Sequence, residues 1–129
     1  MHGDQLYREV FDLPLIQHHA FELPDGLVAE LGPFCGTRVV AFDDFAKGRS
    51  VGVVPRNMTM AERDAAVKRA LSRVGDKAYS VFGWNCEHFA TWCATGVAVS
   101  KQAVQWLERL KNITVGLILG LLFMSLRTA

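Results

Sequence analysis

An excess of one charge, internal repeats and low-complexity tracts are all missing from this sequence, and each absence narrows what the chain can be. Its 14 Lys and Arg nearly balance its 13 Asp and Glu, for a formal net charge of +1. No basic field of the kind that draws nucleic acid is present, so nucleic acid is not an expected partner. The 3 cysteines, Cys35, Cys86 and Cys93, are an odd number, and none are spaced as C-x-x-C. That argues against a zinc ribbon or dithiol redox motif and for a reduced, cytosol-facing protein. Asp43-Asp44, without further ligands nearby, reads as a solvated loop rather than a cation site. Met1-His2-Gly3-Asp4 carries neither a basic n-region nor an apolar h-region, so no signal peptide is expected. At 129 residues, half of them hydrophobic, the chain suits one domain with a real core.

What is present begins with strands. Gln5 to Phe11 alternates and reads as a strand closed by Pro14, and Ile16 to Leu23 and Leu27 to Leu31 flank Pro24-Asp25-Gly26. Proline pre-sets φ and glycine tolerates positive φ, so this tripeptide predicts a tight turn and an antiparallel hairpin. Thr37 to Phe42 is rich in β-branched residues, Asp43 to Arg49 is a polar loop, and Ser50 to Val54 is one more short run. About five strands, mostly hairpin-connected, are expected.

The period then changes. Thr59-Met60-Ala61-Glu62 is a capping box, Ala66, Val67, Ala70, Leu71 and Val74 recur on one helical face, and Gly75 supplies a stop. Ala78 to Phe82 reads as an extended bridge into Trp84-Asn85-Cys86-Glu87-His88-Phe89-Ala90-Thr91-Trp92-Cys93. Asn85 is a good N-cap, which puts Cys86 in the first turn of a helix that ends at Gly96. Free N–H groups and partial positive charge at a helix N-terminus favour thiolate over thiol, so Cys86 is the candidate nucleophile. Cys86, Phe89, Ala90 and Cys93 share a face, and a cysteine on such a face is more commonly a small buried hydrophobe; Cys93 reads that way, and Cys35 as a loop thiol. His88 lies two positions on, about 200° around an ideal helix, and points away from Cys86. A base must come from elsewhere. His18 and His19 are the other internal candidates, and as strand neighbours only one of them can face the cysteine. Their pattern alone does not choose between them.

Asn85-Cys86-Glu87-His88-Phe89 resembles the signature of the lecithin retinol acyltransferase-like family, the H-box/NC proteins, and in particular its phospholipase A/acyltransferase branch. Gly3-Asp4-Gln5-Leu6, Gln17-His18 with Asp25-Gly26, Lys77-Ala78-Tyr79-Ser80 and Thr95-Gly96-Val97-Ala98 extend the likeness over nearly the whole chain; Cys35 to Asn57 is the least alike. The resemblance implies an α+β, permuted papain-like fold, an antiparallel sheet on helices with the histidine ahead of the cysteine. It implies His18 as general base, Cys86 as acyl-accepting nucleophile with its backbone N–H in the oxyanion site, and a third group that orients the imidazole. That third group is usually histidine, and the matching position here is Glu30. The implied chemistry takes the acyl group of a glycerophospholipid onto Cys86 as a thioester and passes it to water, an amine or a hydroxyl, with no metal or organic cofactor.

Ile113 to Leu126 is an uncharged apolar run of 14 residues between Lys111 and Arg127. Its length, short of the roughly 20 residues that span a bilayer, favours a buried or interfacial helix. Its position, flanking charges and the resemblance favour a membrane anchor, with Trp106, Lys101, Arg109 and Lys111 as an interfacial collar on the cytosolic side. The expected organisation is therefore a catalytic domain over 1–100 and an amphipathic linker with a hydrophobic anchor over 101–129. Two other functions stay open: a thiol amidase or peptidase using the same nucleophile and base, and a non-catalytic module with a protein partner, as in viral-type members of the family.

Overall fold

The computed structural model describes residues 2–11 and 16–128. Its strands are β1 (Gln5–Glu9), β2 (Gln17–Glu22), β3 (Leu27–Gly32), β4 (Gly36–Ala41) and β5 (Gly52–Val53). They form one antiparallel sheet in the order β4-β3-β2-β1-β5. The helices are α1 (Phe42–Ala46), α2 (Met60–Ser72), α3 (Cys86–Thr95) and α4 (Lys101–Thr128). The expected α+β fold is thus observed, with the histidine-bearing hairpin ahead of the cysteine-bearing helix. At the hairpin tip Asp25 (φ 63°) and Gly26 (φ 72°) both take left-handed backbone, which Asp tolerates better than most residues and Gly adopts freely. β5 reaches β1 only because residue 52 lacks a side chain: a Cβ there would stand 2.3 Å from the Tyr7 ring.

Several local expectations are corrected. The stretch Asp43 to Arg49 is not simply a loop: Phe42–Ala46 is a short helix ended by left-handed Lys47 (φ 51°). Phe45 and Ala46 are buried, and their burial against the sheet is what a polarity pattern misses. The first strand stops at Glu9, the last shrinks to two residues, and Pro14 lies outside the described residues. The segment Ala78 to Phe82 is only partly extended, because Ser80 and Trp84 form a bridge that closes a turn. On α2 the buried stripe is narrower than its periodicity suggested. Ala66 and Ala70 are fully buried, whereas Leu71 in its last turn and Val74 beyond it are exposed.

The two faces of the sheet are covered differently. Phe21, Ala29 and Leu31 pack with Ala66, Ala70, Phe89, Cys93 and Ala94, which joins the sheet to α2 and α3. Leu6, Ala20 and Val28 pack with Phe45 on the opposite face. The capping box of α2 is present in both directions, with Glu62 N–H donating to Thr59 Oγ1 at 3.1 Å and Thr59 N–H to Glu62 Oε2 at 2.9 Å. The helix α4 merges the expected linker and apolar run into one element of 28 residues, about 42 Å at about 1.5 Å per residue. Lys101–Leu126 is long and apolar enough to cross a membrane. Leu117, Leu121 and Leu126 are each more than 60% exposed, an apolar surface that the described residues leave open.

Candidate active site

The register of the sheet brings His18 and Glu30 together. Ala20 is the cross-strand partner of Glu30, so His18, two residues earlier on β2, is its diagonal neighbour on the same face. His18 Nε2 and Glu30 Oε2 are 2.8 Å apart. Directly opposite Glu30 on β4 stands Arg38, whose Nε and NH2 donate to Glu30 Oε1 at 3.0 and 2.9 Å. Both carboxylate oxygens are therefore engaged in a residue only 6% exposed. Burial pushes the carboxyl up, but the donors from His18 and Arg38 outweigh it and hold Glu30 below its ordinary range.

Cys86 meets the same imidazole from the first turn of α3. Burial alone would lower the His18 pKa; hydrogen bonds to the Cys86 thiol and the Glu30 carboxylate raise it instead, from 6.5 to about 9. His18 is further held by the Phe45 ring, with centroids 5.5 Å apart. Arg8, the cross-strand partner of His18, donates to Phe45 O at 2.5 Å, and its guanidinium stands 5.6 Å from the centroid of that ring. Cys86 Sγ lies 4.0 Å from Gln17 O and is half-buried. At the start of α3, Asn85 Oδ1 accepts from the N–H groups of Glu87 and His88, each at 3.0 Å, so this cap does not use the Cys86 N–H.

The other histidines point elsewhere. His88 Nδ1 accepts the Asn85 N–H at 3.1 Å and completes the cap, as its angular offset from Cys86 requires. His19 faces the opposite side of the sheet and is 5% exposed. Its Nδ1 is 3.0 Å from Gln5 Nε2, whose oxygen is held by Arg56 NH1 at 2.6 Å. His19 Nε2 lies 3.2 Å from Glu87 Oε2, off the hydrogen-bonding direction. Of the two candidates left open by the strand pattern, the structure brings His18 to Cys86 and turns His19 away.

Three participants were not found from the sequence. Arg38 could be recognised only once the β3–β4 register was known, and Arg8 only from its pairing with His18. The third is Gln102, on the first turn of α4, which bonds to both Gln17 and Glu87. A cavity of about 400 Å³ lies on the α3 side of the sheet, bordered by His19, Glu87, Gln102 and Trp106. It excludes His18, Glu30 and Cys86, which lie together at the α1 side and the start of α3. No group of three or more His, Cys, Asp or Glu suited to a metal ion occurs among the described residues.

A protein-family model described as lecithin retinol acyltransferase matches residues 35–99, just over half of the chain. The match contains Cys86 and ends upstream at residue 35, short of the hairpin that carries His18 and Glu30. Bovine lecithin retinol acyltransferase is 30% identical over 91 residues, 67% of this chain and 40% of that protein. The mouse protein of the same name is 32% identical over 90 residues, 64% of this chain and 39% of the relative. The rat protein is 33% identical over 78 residues, 57% and 34% respectively. The chain thus spans about two fifths of the length of the curated relatives it matches.

Proposed function

Because the chain belongs to the lecithin retinol acyltransferase-like family, an enzyme family of the acyltransferase kind, we propose that it is a thiol-dependent phospholipid acyltransferase and phospholipase A, of the phospholipase A/acyltransferase branch. The observation that supports this reading is one imidazole, His18, held between the Cys86 thiol and the Glu30 carboxylate. Nucleophile, base and orienting acid are the three parts that covalent acyl transfer needs.

With Nε2 held by Glu30, the proton of Cys86 passes to His18 Nδ1. The thiolate attacks the ester carbonyl of a glycerophospholipid, and the charge on the carbonyl oxygen is met by the backbone N–H of Cys86 at the start of α3. As the tetrahedral intermediate collapses, the glycerol oxygen leaves and takes the proton from His18, which yields the Cys86 thioester and a lysophospholipid. His18 then removes a proton from water, an amine or a hydroxyl as that acceptor attacks the thioester. The C–S bond then breaks, the Cys86 thiolate leaves and recovers the proton from His18, and the acyl group departs as fatty acid when water attacks or as the acylated product when an amine or hydroxyl does. Glu30 stabilises the imidazolium formed in each half, and Arg38 keeps Glu30 ionised and in place. Neither half-reaction calls for a metal or organic cofactor.

Residues 1–100 form the catalytic part and 101–129 the membrane segment in this reading. A protein with α4 in or on the bilayer, on its cytosolic side, meets the lipid ester without extracting it into water, which suits a half-buried rather than a deeply enclosed thiol. The deciding experiment is intact-mass measurement after incubation with phosphatidylcholine vesicles. An acyl-sized increase that disappears in Cys86→Ala and His18→Ala is expected. No adduct and no lysophospholipid, from folded protein that retains α4, overturns the proposal.

A further inference from the structure

We propose that Gln102 is a positioning residue that sets the approach of Cys86 to His18 and thereby makes the first turn of the membrane helix part of the active site. This rests on the acyl-transfer reading of the dyad given above.

The reasoning starts at the end of a strand. Val10 N–H donates to Ile16 O, which points towards β1, so by alternation the N–H and C=O of Gln17 point away from β1, to the side of β3. The pairing of β2 with β3 starts only at Ala20, so among the described residues no strand residue meets Gln17 on that side. The Gln102 side chain takes that place. Gln17 N–H donates to Gln102 Oε1 at 2.9 Å and Gln102 Nε2 donates to Gln17 O at 3.2 Å, as a paired strand residue would do.

The same carboxamide also holds α3. Gln102 Nε2 donates to Glu87 Oε2 at 2.9 Å, and the backbone N–H groups of Lys101 and Gln102 donate to Glu87 Oε1. Gln17 immediately precedes His18 and Glu87 immediately follows Cys86. One side chain therefore ties the backbone one residue from the base to the side chain one residue from the nucleophile. The Gln17 carbonyl that accepts from Gln102 is also the one 4.0 Å from Cys86 Sγ. A carboxamide can do this because it both accepts and donates at one end. A carboxylate cannot donate to Gln17 O and would repel Glu87, and an alkyl group would satisfy neither. Gln102 lies on the same continuous helix as the apolar segment.

The test compares Gln102→Ala, Gln102→Glu and the exposed-site control Val104→Ala, each in full-length protein. One readout is the iodoacetamide alkylation rate of Cys86, followed by peptide mass with Cys35 replaced by Ser; this needs no lipid turnover. The second is kcat and KM on phosphatidylcholine vesicles. Far-UV circular dichroism confirms folding. Gln102→Ala and Gln102→Glu are expected to slow Cys86 alkylation at least five-fold and to lower kcat about ten-fold or more with KM changed less than two-fold, because small displacements of reacting groups are costly. Val104→Ala should match wild type. Glu87→Gln combined with Gln102→Glu removes the carboxylate repulsion and should recover part of the alkylation rate lost in Gln102→Glu alone. Wild-type alkylation rates in both folded Gln102 variants overturn the positioning role, whatever the lipid assay gives. If wild type forms no acyl adduct yet the variants alkylate slowly, the acyl-transfer reading fails and the positioning of Cys86 by Gln102 stands. Should Gln102→Ala unfold, Gln102→Glu, which keeps the shape, decides.

Discussion

Replacing Glu30 by Gln keeps the shape of the side chain and removes its charge, which isolates what the carboxylate does. His18 is raised from 6.5 to about 9 by Cys86 and Glu30 acting against burial. At about 1.4 kcal/mol per pH unit the net preference for the imidazolium is about 3 kcal/mol. Cys86 and Glu30 share that preference, so loss of the Glu30 part costs about 1–2 kcal/mol, or about ten-fold in a step that forms imidazolium. A second loss adds to this. Three N–H groups, His18 Nε2 and two of Arg38, converge on the Glu30 oxygens. Gln has one acceptor oxygen and one NH2, so either His18 or Arg38 must face a donor, at a cost of about 1–3 kcal/mol in a buried site. The expected outcome is Cys86 acylation about 10–100-fold slower at pH 7, measured by single-turnover intact mass. The alkaline limb of the pH–rate profile, where the His18 imidazolium that protonates the leaving oxygen is lost, should move to lower pH, because removing the negative charge lowers the imidazolium pKa from about 9 towards 6.5. Turnover within a few-fold of wild type, with no displacement of that limb, would refute the orienting role of Glu30.

Three further outcomes follow from the same groups. Since the folded-state pKa of His18 is raised, its stabilisation is complete below pH 6.5 and is lost as pH rises to about 9; urea unfolding should show the gap between wild type and His18→Gln narrowing by about 2–3 kcal/mol over that window, and a constant gap contradicts it. Glu87 has the opposite sign: burial pushes its carboxyl up, but His19, Gln102 and the Lys101 N–H bring it down to about 2. Its contribution is therefore present above pH 4.5 and lost on acidification, by about 1 kcal/mol per pH unit, so Glu87→Gln should flatten the acid limb of a stability–pH curve; an unchanged slope argues against the pairing. Finally, burial pushes the Cys93 thiol up to about 12, so maleimide at pH 8 should label native Cys35 and Cys86 and reach Cys93 only after denaturation, as peptide mass would report.

What the sequence determined by itself is local. The capping box at Thr59 and Glu62, the Asn85 cap that sets Cys86 in a first turn, and the Pro24-Asp25-Gly26 hairpin depend on residues within a few positions of one another, and all are present in the fold. The angular offset that removes His88 from the cysteine is also a local fact of helix geometry. Other features required the chain to come together. His18 and His19 have the same neighbours and the same alternation, and only the packing of α3 on one face and α1 on the other gives them different surroundings. Glu30 faces His18 because β2 and β3 pair as they do, and a shift of one residue would send it to the other face. Helix α1 exists because Phe45 finds a sheet to cover. Gln102 is 85 positions from Gln17, and nothing in the pattern around either residue announces the bond. Caps, turns and periodicity are encoded within about one helical turn of sequence, whereas register and the meeting of distant side chains are decided by how the elements pack.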